Sequence, residues 1–266
     1  MFDHGFNRSN WLAAVLADLS AHPAQISLRY YPCLDSSNLQ VERLLSSSRW
    51  ARDRPEILVV VAGSQTAGQG RYGRQWLSPK GTGLWFTVAV RGELTALCPP
   101  PLVVLAARLA TVLQAQSIPV VLKWPNDLFL GGGKLAGMMG QRKSIAGQSW
   151  LLCGVGVNIN PPDHAGLEYP VAGLADCVQA NEQHAVAIIR CVVDTLLSPR
   201  DWTAMLATQA RAHLHYQQPV ALYDADGYCG QAAAGAIDVH SGALWVHDAG
   251  RAFMVDGRWQ VRLQVQ

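Results

Sequence analysis

The chain has 266 residues, of which 50% are apolar and 15% charged, with 24 glycines, 14 prolines and a formal net charge of +2. Disordered chains are charge-rich and poor in hydrophobic residues, so this composition excludes that class and leaves enough apolar material for one large domain and a smaller one. A near-neutral balance also argues against affinity driven by nucleic-acid phosphates, and any anionic partner is expected to be small and held locally.

At the N-terminus, Asp3 and Arg8 precede a short apolar stretch interrupted by Asp18, with no clean h-region and no A-x-A cleavage site. No later run reaches the ~18 apolar residues that cross a bilayer, so a soluble, cytoplasmic protein without membrane contact is expected. Asn10 is placed to cap a helix through Ser20, and ISLRYYP (26–32) reads as a strand. Ser37 and Gln40 have capping-box spacing ahead of Leu39, Val41, Leu44 and Leu45, which predicts a helix over 37–48. ILVVVAG (57–63) and GLWFTVAV (83–90) read as buried strands, with a polar, glycine-rich stretch between them. Pro101 opens a helix to Gln116 that is apolar around most of its circumference, so it is expected between core layers.

PVVLKW (119–124), DLFL (127–130), KLAGMM (134–139) and WLLCGVGVNI (150–159) follow as strands, with Gly131, Gly132 and Gly133 turning the second into the third. Beyond a proline-bearing loop (161–173), helices are predicted over 183–197 and 201–216. From Pro219 the pattern changes to short alternating strands (PVALYD, GAIDV, ALWVH, AFMVD, WQVRLQV), the spacing of a small β-barrel. The expected organisation is an α/β domain over 1–216 and a barrel over 217–266. Cys33, Cys98, Cys153, Cys177, Cys191 and Cys229 contain no C-x-x-C pair, so reduced, mostly buried thiols are expected.

Gly68, Gly70 and Gly73 spell G-x-G-x-x-G after a strand, as in dinucleotide-binding folds. That use needs a helix beginning at the glycines to face a pyrophosphate, and Pro79, Gly81 and Gly83 oppose one, so the reading fails on context. Gly133-Lys134 is followed by Leu135 rather than Ser or Thr, which excludes a P-loop, and there is no G-x-S-x-G elbow. What remains is a loop in which glycines alternate with Arg71 and Arg74 and end on Trp76. Glycine lets a backbone approach a ligand, and arginine offers a planar fork to carboxylate or phosphate; a solvated surface loop is the competing reading. Two of the four lysines sit in Lys123-Trp124-Pro125-Asn126-Asp127 and Lys134-Leu135-Ala136-Gly137, where edge lysines and an Asn-Asp turn are the ordinary alternatives. His213 and His215, two apart on a predicted helix, point to different faces, and no metal site is expected.

Five stretches in order resemble the biotin protein ligase family: Asp35-Ser36-Ser37-Asn38, Gln65 to Trp76, Lys123 to Asp127, Lys134 to Gly137, and Gly154-Val155-Gly156-Val157-Asn158-Ile159-Asn160. K-W-P-N-D followed closely by K-L-A-G is the specific part. The likeness covers residues 26–160 well and extends more weakly to Gly235-Ala236-Ile237-Asp238 and Val261-Arg262. It implies an α/β, mixed-sheet catalytic domain of the biotin/lipoate ligase type with a C-terminal SH3-like β-barrel. It also implies an ATP-dependent ligase that forms biotinyl-5′-AMP and transfers biotin to a lysine of a biotin carboxyl carrier protein, with Mg2+ accompanying ATP. By resemblance, Lys134, Arg71 and Asp127 are catalytic. Ser36, Ser37, Asn38, Gln65, Gln69, Gly70 and Gly137 join Arg71 and Lys134 around biotin, and Arg74, Trp76, Lys123, Trp124, Asn126 and Asn158 join Asp127 around ATP and the adenylate.

The chemistry suits these residue types. Bringing a carboxylate against an anionic α-phosphate needs cations, which Arg71, Arg74, Lys123 and Lys134 offer. An attacking lysine of pKa ~10.4 is only about 0.1% neutral near pH 7.4, so a carboxylate such as Asp127 is wanted to take its proton. Biotin's ureido ring has two N–H donors and one carbonyl, to which Ser36, Ser37 and Gln65 can donate or accept, and either serine is also placed to cap a helix. The sequence departs from the family's pattern at Gln69, Tyr72, Ser37, Gly140-Gln141 and Arg258. A lipoate ligase or octanoyl transferase of the related fold would share the lysine without K-W-P-N-D and a barrel, and a catalytically weak biotin or adenylate sensor is a third reading. The first catalytic strand begins near Ile26, leaving too little chain ahead of it for the winged helix-turn-helix of repressor members. A monofunctional ligase without specific DNA binding, monomeric or weakly dimeric, with a glycine-rich loop mobile until ligand binds, is therefore expected.

Overall fold

The structure, a computed structural model, describes residues 8–47, 55–92, 100–161, 170–209, 220–248, 251–256 and 260–263. In chain order come α1 (Arg8–Ser20), β1 (Ile26–Tyr31), α2 (Ser37–Ser46), β2 (Ile57–Ala62), β3 (Gly83–Arg91), α3 (Pro101–Ala115), β4 (Val121–Lys123), β5 (Asp127–Leu130), β6 (Gly133–Ile145) and β7 (Gln148–Asn158). Then follow α4 (Glu182–Leu197), α5 (Trp202–Gln209), β8 (Val220–Asp224), β9 (Gly227–Ile237), β10 (Leu244–Asp248), β11 (Arg251–Val255) and β12 (Gln260–Leu263). The first seven strands form one mixed sheet in the order β1-β2-β3-β7-β6-β5-β4, parallel only between β1 and β2. The last five form an antiparallel sheet in the order β11-β10-β9-β8-β12.

Side-chain alternation sorts the large sheet into two faces. Ile57, Val59 and Val61 of β2, Leu84, Phe86 and Val88 of β3, and Leu151, Cys153 and Val155 of β7 enter one core with α1, α3 and α4. Leu58, Val60, Ala89, Trp150 and Leu152 face the other way, against Val41 and Leu45 of α2. Both faces of the central strands are therefore covered, which explains their unbroken apolar sequence. α3 is buried nearly all round, as its composition requires. The small sheet is not packed separately: Val220, Leu222, Leu244, Val246 and Val261 belong to the same contiguous core cluster, and Trp124 Nε1 donates to the Gly242 carbonyl at 2.8 Å.

Several boundaries differ from the sequence reading. α1 begins at Arg8, so Asn10 lies inside the helix and does not cap it. Ser36 occupies the N-cap position of α2, and neither serine supplies a side-chain cap. Tertiary partners replace the cap: Ser37 N–H donates to Gln65 Oε1 at 2.8 Å, and its hydroxyl meets Thr87 Oγ1 at 2.8 Å. Only Gly131 and Gly132, at φ 55° and 84°, form the turn after β5, and Gly133 already belongs to β6. β6 runs on to Ile145 because Ala146 and Gly147, both at positive φ, make a second tight turn into β7. Its polar half, Gln141 to Ser144, hides a strand from any apolar pattern. β9 likewise starts well before GAIDV, through residues with no β-branched signal. His213, His215, the rest of the 201–216 helix and the expected 216/217 boundary lie outside the described residues, as does Arg258.

Of the described cysteines only Cys153 and Cys191 are buried, which corrects the expectation that most would be. Burial pushes the Cys153 thiol up to about 12 and the Cys191 thiol up to about 11. Peptide mapping after alkylation near pH 8 should find Cys33 and Cys177 modified in the folded protein, and Cys229 more slowly because desolvation and the neighbouring Asp224 carboxylate raise its thiol. Cys153 and Cys191 should react only on unfolding; native labelling of either would contradict the packing.

Ahead of α2, Asp35 accepts from Ser36 N–H at 2.7 Å and from Arg43 Nη1 at 2.8 Å. The Arg43 guanidinium is the main cause that holds this carboxyl at about 2, below its ordinary 3.8. A depressed folded value means that the pair's contribution is complete above pH 3.8 and fades as pH falls toward 2. Carboxyl-detected NMR should give an Asp35 midpoint near 2 that returns toward 3.8 in Arg43→Ala. A midpoint unmoved by the substitution would break the pairing.

Candidate functional site

The cleft opens on the α2 face of the large sheet, where β6 and β7 carry Gly137, Gly154 and Gly156 in place of side chains. These glycines are required by close approach. A Cβ on Gly154 would lie 2.7 Å from Asn38 Oδ1, one on Gly156 2.5 Å from Trp76 Nε1, and one on Gly137 2.8 Å from Trp76 Cζ3. Asn38 and Trp76 thus lie flat on the sheet, and Trp76 meets Trp85 edge-on at 6.4 Å between centroids. β7 pairs with β6 and β6 with β5, Gly156 opposite Gly137 and Gly137 opposite Asp127. The register therefore sets Asn38, Trp76 and Asp127 in a row across the floor.

One end of this row is neutral. Ser36, Ser37 and Asn38 are buried at the start of α2, beside Gln65, whose Oε1 takes the Ser37 N–H while its Nε2 donates to Ser78 Oγ at 2.9 Å. The other end is cationic. Lys134 Nζ lies 2.7 Å from Asp127 Oδ2 and 5.2 Å from the centre of the Trp76 ring. Its backbone is clamped on both sides: its N–H donates to the Pro170 carbonyl at 2.7 Å, and its carbonyl accepts from Ala172 N–H at 3.1 Å and Asn158 Nδ2 at 3.0 Å. Lys123 pairs with Asp127 across the β4–β5 hairpin, so the K-W-P-N-D motif is the hairpin itself, with Trp124, Pro125 and Asn126 as its loop.

The glycine-rich loop folds as a stub of hairpin rather than a helix. Gln69 bridges to Gln75, Gly70 N–H donates to the Arg74 carbonyl, and Trp76 N–H donates to the Gly68 carbonyl. Its tip is a single 3-10 turn, Arg71–Gly73, with Tyr72 at φ 58°. From this tip Arg71 reaches over the cleft: Nη1 donates to Asn126 Oδ1 at 2.8 Å and Nη2 to Tyr72 Oη at 2.9 Å. Asn126 Nδ2 in turn donates to the Met138 carbonyl at 2.6 Å, which fixes the amide's orientation toward Arg71.

Every residue singled out from the sequence lines this cleft except Asn158, which is buried and donates to the carbonyl of the cleft residue Lys134. Trp124 lines it while 2% exposed, with its indole N–H engaged by Gly242. The cleft wall carries Arg71, Arg74, Lys123 and Lys134 against one carboxylate, Asp127, among the described residues. Gly140 and Gln141 lie outside it, and Tyr72 lines it while 56% exposed as a residue. The sequence reading missed Phe86, Met138, Met139 and Val261 as wall residues. They carry no polar signal, and Val261 arrives from the other sheet. It also missed Thr87 behind the wall, although a threonine within an apolar strand was a visible cue. No three His, Cys, Asp or Glu side chains converge as a metal site among the described residues, and no helix there is long and apolar enough to cross a membrane.

A model of the Biotin/lipoate A/B protein ligase family matches residues 32–158. The Bifunctional ligase/repressor BirA of Bacillus subtilis is 31% identical over 136 residues, 50% of this chain and 40% of its own. The Biotin--[acetyl-CoA-carboxylase] ligase of Paracoccus denitrificans is 35% identical over 160 residues, 57% of this chain and 62% of its own. The matches thus span less than two thirds of either relative's length. Among solved structures, the biotin protein ligase from Aquifex aeolicus in complex with biotin and ATP aligns with a TM-score of 0.72 at 20% identity, over 90% of this chain and 99% of that one, and so shares the fold. β2 to β7 and every residue of the cleft wall except Val261 fall within the matched segment, so the candidate site lies in the part of the chain that is similar to the Biotin/lipoate A/B protein ligase family.

Proposed function

We propose that the chain is a biotin protein ligase that makes biotinyl-5′-AMP from biotin and ATP and passes biotin to a lysine of a biotin carboxyl carrier protein. The observation that carries this reading is the division of one cleft into a neutral hydrogen-bonding end, at Ser36, Ser37, Asn38 and Gln65, and a cationic end at Lys134, Lys123 and Arg71. A ureido ring suits the first and a carboxylate meeting a phosphate suits the second. The names of the relatives support the same assignment. Lipoate, whose dithiolane ring has no N–H or C=O, would leave the buried polar groups at the neutral end without partners, which is costly.

In the first step the biotin carboxylate attacks the α-phosphate and pyrophosphate leaves. Lys134, with Lys123 and Arg74, offsets the repulsion between the two anions and the charge that grows on the phosphorus oxygens. The clamps on the Lys134 backbone fix where its side chain starts while the ammonium exchanges Asp127 for the phosphate. In the second step the carrier amine attacks the acyl carbon, AMP leaves, and Asp127, released from Lys134, accepts the amine's proton. Mg2+ belongs to this proposal as the companion of ATP: it would offset charge on the phosphates, and Asp127, the one carboxylate of the cleft wall among the described residues, would be the side chain able to help hold it. The proposal includes a 1–216 catalytic unit, a 217–266 SH3-like unit, a cytoplasmic setting, no specific binding of DNA, and a monomer or weak dimer.

Pyrophosphate exchange tests the reading: biotin should support fast ATP–pyrophosphate exchange, while lipoate or octanoate should not. Exchange with lipoate would favour the lipoate-ligase reading, and biotin binding without exchange would favour a sensor. Lys134→Ala should lower adenylation by roughly 10² to 10³, the usual loss of one preorganised charged group. Retention of more than half the wild-type rate would remove Lys134 from the mechanism.

Arg71 gives a separate prediction. Its fork spans from the loop tip to Asn126, so in the ligated enzyme it can close the adenylate off from water, with a charge-assisted contact of roughly 1.5 to 3 kcal/mol. Arg71→Gly should still form the adenylate but release it about ten- to a hundredfold faster, read by rapid filtration and by labelling of bystander lysines. Release at the wild-type rate would make Arg71 a surface arginine.

A further inference from the structure

A hydroxyl buried beneath the neutral end of the cleft fixes which of its groups donate and which accept. Thr87, on β3, is wholly buried, and its Oγ1 lies 2.8 Å from Ser37 Oγ and 2.6 Å from Asn38 Oδ1. It has one proton to give. An amide oxygen can only accept, so the shorter contact takes that proton, and Ser37 must give its own proton to Thr87 Oγ1. Ser37 then faces the cleft as an acceptor only. Asn38, its oxygen held from behind, faces the cleft through its amide nitrogen, which has no protein partner among the described residues although Asn38 is 3% exposed. The amide is pinned flat, because it rests on Gly154. Gln65 is oriented by the same logic: Ser78 gives its proton to the Trp76 carbonyl, so Ser78 Oγ accepts from Gln65 Nε2 and Gln65 Oε1 is left for the Ser37 N–H.

We propose that Thr87 is a positioning residue that sets substrate specificity without touching substrate: through one hydroxyl it makes Ser37 an acceptor and Asn38 a donor. That pattern takes a neutral cyclic urea by an N–H and its C=O, and it rejects a ring presenting N–H groups at both places. The inference rests on the biotin reading of the cleft. Removing the hydroxyl while keeping the side chain's shape frees the Asn38 amide to flip and the Ser37 hydroxyl to turn, so both polarities become accessible. Affinity for the urea falls, and discrimination against its donor-only analogue falls with it. A purely structural role would weaken both ligands alike.

Calorimetry on the full chain tests this with biotin and 2-iminobiotin, whose protonated guanidinium-like group presents N–H where biotin has C=O. Wild type should prefer biotin by roughly 10²-fold or more, the scale expected of a site built to pair with a particular polar group. Thr87→Val should bind biotin about ten- to a hundredfold more weakly and keep a preference under about tenfold, since one buried hydrogen bond is worth about that much. Thr87→Ser, which keeps the hydroxyl, should restore both affinity and preference. If Thr87→Val does not fold, Thr87→Ala reads the same ratio. A wild-type preference retained by the folded Val or Ala variant overturns the role of Thr87 while leaving biotin as the ligand. Absence of biotin binding in wild type overturns the biotin reading itself.

Discussion

A sheet face becomes either a packed wall or the floor of a cleft according to the volume at its alternate positions. On β7 the positions facing α2 are Trp150 and Leu152 in the first half and Gly154 and Gly156 in the second. The first half packs against the sheet's own helix; the second leaves room into which Asn38 and Trp76 can lie flat. Everything else about the site depends on that change. A methyl group at Gly156 would displace Trp76, the ring that faces Lys134, and one at Gly154 would displace Asn38 from Thr87.

Around this floor, polar groups are held by directional hydrogen bonds to tertiary partners rather than by helix caps. α2 begins without a side-chain cap, and the N–H of its first residue, Ser37, is satisfied from the neighbouring loop, at Gln65. The arrangement costs little, because any acceptor suffices for an orphan N–H. It also fixes the angle at which Ser36, Ser37 and Asn38 meet the cleft. Lys134 is treated similarly at the opposite end, where Asn158 and residues 170–172 hold its backbone by hydrogen bonds to its N–H and carbonyl. A backbone fixed in this way sets the point from which the ammonium reaches an anion, which favours electrostatic positioning.

The two sheets are tied together at the site as well. Trp124, in the hairpin that carries Asn126 and Asp127, donates to Gly242, and Val261 of the small sheet lines the cleft. The C-terminal strands therefore support the hairpin that carries the cleft's carboxylate, and the contiguous core running through both sheets makes that support stiff.

Much of this was legible from the sequence because it rests on local patterns. Apolar runs gave β2, β3, β5 and β7, proline placed the start of α3, and failure of the helix requirement ruled out a dinucleotide-binding (Rossmann) turn at Gly68 to Gly73, which the structure shows as a hairpin stub. The resemblance to the biotin protein ligase motifs grouped the lysines, arginines and serines that the fold brings into one cleft. Where the sequence misled, a long-range partner had replaced a local signal. The polar half of β6 is a strand because β7 pairs with it, and Ser37 is no cap because Thr87 and Gln65 claim it. The sequence by itself determined which chemical groups this protein carries and along which strands they lie. Only the tertiary structure decided which partner each group faces, because a hydrogen bond's direction is set by whichever donor or acceptor packing brings within reach, and residues 37, 65 and 87 meet only once the sheet has formed.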